Sequence, residues 1–190
     1  TRPDIMLSVS LINCFMENPS ENHLLATKRI LRYLKGTTNL GVLYKAKGKE
    51  SLFGFLDSDY AGDVEDRKST SWFVFMMSLG AVSWSSKKQH IVTLSSTEAK
   101  CVATALSWCQ AIWLRRLLEA LQQHQKGATT IYYDNASAIK ISKNPVLHGR
   151  SKHIDVRYHF LHNLCNDGII DLVFCKSETQ VDDILTKPLK

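Results

Sequence analysis

The 190-residue chain is 44% hydrophobic with a mean hydropathy of -0.15, which is enough apolar material for one substantial core and too much for a disordered polypeptide. No apolar run approaches the roughly 20 residues that cross a bilayer, and the start TRPDIMLSVS lacks the pattern of a signal peptide, so a soluble cytoplasmic protein with no membrane partner is expected. A net charge of +6 and a pI near 9.1 lean towards a polyanionic partner. The five cysteines Cys14, Cys101, Cys109, Cys165 and Cys175 are odd in number, scattered and never C-x-x-C. They exclude a disulfide framework or zinc ribbon and read as reduced, mostly buried thiols. A first residue Thr1 and the abrupt end Lys187-Pro188-Leu189-Lys190 suggest a piece of something longer.

The first stretch predicts two helices, because Ile5, Val9, Leu11 and Ile12, then Leu24, Ile30, Leu31 and Leu34, recur at helical spacing. Asn18-Pro19-Ser20 separates them, with Ser20 as N-cap and Glu21 in the positive first turn. Lys28, Arg29, Arg32 and Lys35 line the other side of the second helix as a solvated face. After Gly36 the period changes. GVLY, SLFGFL, SWFVFMM and AVSWSS are short, β-branched and aromatic, as successive antiparallel strands are. A long helix follows, capped by Ser95 or Ser96, with an apolar stripe through Ala99, Val102, Ala103, Leu106, Trp113, Leu117 and Leu121. Trp72, Phe73, Phe75 and Trp113 read as core. TTIYYD is a further strand and ASAIKIS a short helix; a helix with Val156, Phe160, Leu161 and Leu164 ends at Gly168; IIDLVF is the last strand, before a closing helix near Val181 to Thr186. From Ser51 the order is three strands, helix, strand, two helices, strand, helix, a mixed α/β sheet. The turn region Lys45 to Glu50 is the candidate boundary, dividing a helical segment 1–47 from a domain 48–190.

Asp57 and Asp134 fall at strand ends, Glu98 in the first turn of the long helix and Asp183 in the closing helix. Taken singly, each has a plain structural role: a hairpin rim for Asp57-Ser58-Asp59, a turn and cap for Asp134-Asn135, a first-turn charge for Glu98. Gathered on one sheet edge, such carboxylates repel unless hard cations neutralise them, which points to magnesium or manganese. Two ions about 4 Å apart suit phosphodiester hydrolysis. His159, His162 and Cys165 are spaced three and three on a helix, too spread around its axis to converge on zinc.

The segments FLDSDYAGDVEDRKSTS, AVSWSSKKQ, LSSTEAK, YYDNASAIKISKNPVLHGRSKHIDVRYHFL, DGIIDLVF and TQVDDILTKPL together resemble the ribonuclease H region of copia-type retrotransposon polyproteins. The resemblance covers essentially everything after Ser51, and residues 1–44 resemble the segment joining reverse transcriptase to ribonuclease H. It implies a ribonuclease H-like mixed five-stranded sheet with flanking helices, and cleavage of the RNA strand of RNA/DNA hybrids during reverse transcription, in the cytoplasm or within virus-like particles there. It carries the family's four acids onto Asp57, Glu98, Asp134 and Asp183, holding two Mg2+ or Mn2+ ions, with Asp59 and Asp182 as neighbours easily mistaken for the first and last. The implied partners are the hybrid and the reverse transcriptase domain of the same polyprotein. Products would carry a 5' phosphate and a 3' hydroxyl.

Among the basic loop residues, Lys87, Lys88, Arg150 and Lys152 are the candidate phosphate contacts, with the RNA strand distinguished through its 2' hydroxyls. The chain departs from the family at Lys100 and Cys101, where Glu and Tyr are usual, and at Trp72, where Gly is usual. Such changes suggest a decaying copy. Lys100 follows Glu98 by two residues, and about 100° per residue turns the two side chains apart. No histidine lies between Val173 and Asp183, where many cellular ribonucleases H have one; His148 and His153 read as loop caps or phosphate contacts. Two other readings are a catalytically inactive, retroelement-derived binding module and an integrase-like nuclease on the same fold.

Overall fold

The structure is a computed structural model that describes residues 2–44, 51–136, 139 and 152–176, with side chains of the last segment from His159. A short 3-10 helix (Pro3–Ile5) leads into α1 (Met6–Asn13) and α2 (Glu21–Gly36). Ser20 caps α2, and its backbone N–H donates to Nδ1 of His23 at 3.0 Å. Arg2 pairs with Asp4 at 2.7 Å and donates to the Thr37 hydroxyl at 2.8 Å, tying the start of the chain to the end of α2. Neither α1 nor α2 contains a buried residue; Leu24, Leu25 and Leu31 are exposed.

The sheet runs β1 (Leu52–Ser58), β2 (Thr70–Met77), β3 (Gly80–Lys88), β4 (Thr129–Tyr133) and β5 (Ile170–Phe174), in the spatial order β3-β2-β1-β4-β5. β1, β2 and β3 form an antiparallel meander, whereas β4 joins β1, and β5 joins β4, in parallel. This is the mixed five-stranded sheet with flanking helices that the sequence implies. Parallel pairing requires long crossovers. α3 (Ser96–Ala120) supplies the one before β4, and α4 (Lys152–Asn166) lies in the one before β5. Arg115 of α3 reaches the Gly127 carbonyl and the Thr129 hydroxyl and so fixes the return into β4. α4 ends where Gly168 takes a φ of +64°, as expected of a glycine helix stop.

The main core lies between one sheet face and the helices, with Leu52, Leu56, Phe75, Ile131, Tyr133, Ile170 and Leu172 meeting Trp108, Ala111, Leu114, Leu161 and Leu164. A smaller cluster on the other face joins Phe55, Val74, Ala81 and Cys175, with Val42, Trp84 and Tyr132 packed against it.

Three expectations change. GVLY is not a strand: Val42 packs inward, and the Tyr44 hydroxyl, rather than a backbone ladder, meets β3 by donating to the Ala81 carbonyl at 2.6 Å. The buried stripe of α3 is shifted. Leu106, Trp113, Leu117 and Leu121 are exposed, Trp113 at 56%, while Ala103, Ser107, Trp108, Ala111, Leu114 and Leu118 are buried. Small residues at 103, 107 and 111 let the helix approach the sheet, so size outweighed hydrophobicity in choosing the face. Of the cysteines, Cys101 and Cys175 are buried, Cys165 is half-buried, and Cys14 and Cys109 are exposed. ASAIKIS is helical at its described positions, Ala136 and Ile139, and the closing helix and the 45–50 boundary lie outside the described residues.

Gly54 of β1 faces Phe75 of β2, and a Cβ there would lie 2.8 Å from the Phe75 ring, which is fully buried. Gly54→Ala is therefore expected to cost roughly 1–3 kcal/mol by overpacking, read as a lower urea midpoint at unchanged m value.

Candidate functional site

The parallel register of β1 and β4 sets the site. Leu56 lies beside Tyr133, so Asp57 and Asp134, each one residue further on, stand at the same end of neighbouring strands. Such strands are about 4.8 Å apart. Asp57 is 5% exposed, and its Oδ1 accepts the N–H of Ser58 at 2.7 Å. Burial, and then the negative charges of Asp57 and Asp134, push the Tyr133 phenol well above its usual pKa, so both carboxylates bear on the same ring.

Glu98 stands in the first turn of α3, which packs on β1 and β2. Ser95 caps the helix by accepting the Glu98 N–H at 3.1 Å, and Oε2 of Glu98 turns back to accept the Leu94 N–H at 2.7 Å. The acid is 5% exposed. It is a first-turn capping residue by geometry. Gln89, which the sequence does not single out, braces this turn: its Nε2 donates to the Ser71 hydroxyl at 2.8 Å and to the Ala99 carbonyl at 2.9 Å. A polar residue closing a strand carries no periodic signal, so only the fold reveals it.

Lys100 crosses from α3 to the end of β4. Its Nζ lies 3.3 Å from Oδ1 of Asp134 and 5.6 Å from the Tyr133 ring centre. Helix geometry speaks only to neighbours on the same helix; this partner is 34 residues away in sequence.

Asp59 has a structural place, its Oδ1 accepting the Thr70 N–H at 2.6 Å. Burial raises its pKa, opposed by that hydrogen bond, and the charges of Asp57 and Asp63 add to the rise. Lys87 is exposed at the end of β3. Lys88 is held by Asp63 at 2.5 Å and by Asp66 at 3.3 Å, and Asp63 is correspondingly lowered to about 2, chiefly by that lysine. Asp183, Asp182 and Arg150 lie outside the described residues, as does the side chain of Lys152. The donors present are hard carboxylate oxygens, the kind magnesium and manganese take. Among the described residues no three His, Cys, Asp or Glu side chains stand close enough together to hold an ion.

No family model matches the chain. It is 43% identical over 187 residues to the retrovirus-related Pol polyprotein from transposon TNT 1-94 of Nicotiana tabacum, across 98% of this chain and 14% of that protein. The chain belongs to the copia-type retrotransposon Pol polyproteins. The polyprotein from transposon RE1 of Arabidopsis thaliana agrees, at 42% identity over 189 residues, 100% of this chain and 13% of that one. The chain thus spans a small part of the Pol polyproteins it matches. That part has the ribonuclease H-like fold: LC11-RNase H1, isolated from compost, superposes with a TM-score of 0.53 at 11% identity, over 72% of this chain and 92% of that one. Among the described residues of this Pol segment, no helix is long and apolar enough to cross a membrane.

Gln89→Leu is expected to destabilise by roughly 1–3 kcal/mol, because it removes two buried hydrogen bonds and leaves the Ser71 hydroxyl in an apolar setting. Urea titration measures the loss; Lys87→Ala, at an exposed position, serves as the near-neutral control.

Proposed function

We propose that this segment is the ribonuclease H of its Pol polyprotein and hydrolyses the RNA strand of RNA/DNA hybrids, dependent on divalent metal ions. The observation that carries the reading is the pairing of β1 with β4, which sets Asp57 beside Asp134 at one sheet end, together with Glu98 in the first turn of the helix packed on β1 and β2. Asp57, Glu98, Asp134 and, by resemblance, Asp183 would hold two magnesium or manganese ions. Such ions supply an activated water and stabilise the departing 3' oxygen. The protein's own task is to orient these carboxylates. The Ser58 N–H donates to Asp57 and the Leu94 N–H to Glu98, which fixes where their oxygens lie.

The hybrid would lie across the end of the sheet. Asp57, Trp72 and Ser86 are aligned across β1, β2 and β3, so the backbone of Lys87, one residue beyond Ser86, stands about two strand spacings, roughly 10 Å, from that of Asp57. That is within reach of a neighbouring phosphate. Lys88 is already engaged by Asp63 and Asp66, so on this strand Lys87 would carry the phosphate contact, joined by Arg150 and Lys152. RNA would be chosen through its 2' hydroxyls, giving cleavage largely indifferent to sequence. The exposed Leu24, Leu25 and Leu31 of α2 support the reading of residues 1–47 as a segment that packs on the reverse transcriptase domain of the same polyprotein.

One observation favours a second reading, a binding module without turnover: the Lys100 ammonium sits on Asp134. Gel-resolved cleavage of end-labelled RNA annealed to DNA separates the two. The first reading predicts cutting of the hybrid but not of free RNA, dependent on magnesium or manganese, and reduced at least about 100-fold by Asp134→Asn. Hybrid binding without cutting by folded protein in either metal would establish the second.

A further inference from the structure

We infer that Lys100 is an internal cation of the acidic centre that competes with divalent metal for Asp134 and so holds the metal affinity of this protein down. The inference rests on the metal-dependent reading above and adds a residue that works against it. Three observations converge. The ammonium lies 3.3 Å from Oδ1 of Asp134. It also lies 5.6 Å from the centre of the Tyr133 ring, whose phenol feels the charges of both Asp57 and Asp134. Both side chains of the pair are 20% exposed, so the lysine reaches the carboxylate from inside the fold and retains a path to solvent.

Position 100 is the fifth residue of α3, one turn in from the capped end, and its four-carbon stem spans from the helix to the end of β4. The ring face of Tyr133 gives the ammonium a second attraction besides the carboxylate. A divalent ion on Asp134 must therefore displace a cation already there or bind beside it. A univalent and a divalent cation about 5 Å apart, screened as in water, repel enough to lower affinity about tenfold. The lysine stem is flexible and its ammonium strongly hydrated, so displacement is a competition and not an absolute block. By linkage, whatever the ammonium takes from metal affinity, bound metal takes from the Lys100–Asp134 pair. This separates competition from decay: a damaged centre does not regain metal when one charge is removed, whereas an occupied one does.

The test is equilibrium Mn2+ binding to the full chain, followed by the electron paramagnetic resonance of free Mn2+. The set is the unsubstituted protein, Lys100→Met, Lys100→Gln, Lys100→Arg and Asp134→Asn, each checked for native circular dichroism. Lys100→Met and Lys100→Gln are expected to bind Mn2+ about tenfold more tightly, Lys100→Arg to stay within about twofold of the parent, and Asp134→Asn to bind more weakly. Should Lys100→Met fail to fold, Lys100→Gln carries the same prediction with a polar side chain. Unchanged or weaker binding in the folded neutral variants, with Asp134→Asn still lowering affinity, would overturn this inference and leave the metal-dependent reading standing. Absence of Mn2+ binding from every variant would overturn both.

Discussion

Everything at the candidate site depends on the parallel hydrogen bonding between β1 and β4. An antiparallel neighbour would have brought the end of one strand to the beginning of the other. The parallel ladder brings Asp57 and Asp134 to the same edge, one residue beyond the Leu56–Tyr133 pair. Parallel pairing in turn obliges the chain to cross the sheet through a helix. α3 is that crossover, and its first turn delivers Glu98. One constraint, the geometry of the crossover, thus produces the sheet order, the buried helix and the placing of Asp57 beside Asp134.

Buried or neighbouring acids are costly, and each of these three carboxylates meets a donor. Ser58 and Leu94 offer backbone N–H groups to Asp57 and Glu98, and Lys100 offers a full charge to Asp134. The Glu98 contact with the Leu94 N–H both caps α3 and fixes where its carboxylate lies, so helix stability and carboxylate position are linked in one side chain. Gln89 extends the linkage to the end of β3 by joining Ser71 to the first turn of α3. Beside this edge, Asp59, Asp63 and Asp66 organise the loop between β1 and β2 with Thr70 and Lys88, which explains a second acidic group so close in sequence to Asp57.

Much of this is legible in the sequence because local rules govern it. The caps at Ser20 and Ser95, the stop at Gly168 and the meander β1 to β3 follow from residue types at fixed offsets. The failures arise where tertiary contacts decide. GVLY has strand composition, yet its contact with β3 is through the Tyr44 side chain. The apolar residues of α3 form two stripes, and the sheet accepted the one with small side chains, leaving Trp113 outside. Lys100 stands out in the sequence, but its partner does not, because a lysine stem can bridge elements that no helical wheel relates. At the candidate site, the three acids Asp57, Glu98 and Asp134 were marked by their place at element ends; the residues that brace or neutralise them were not.

The most direct test of a metal centre at this edge is site-resolved NMR during a titration with substoichiometric Mn2+, whose unpaired electrons broaden nearby amide signals. The account predicts selective broadening around Asp57–Ser58, Leu94–Glu98 and Tyr133–Asn135 at the lowest additions. Broadening that begins instead at Asp63 and Asp66, or spreads evenly over the acidic surface, would contradict it.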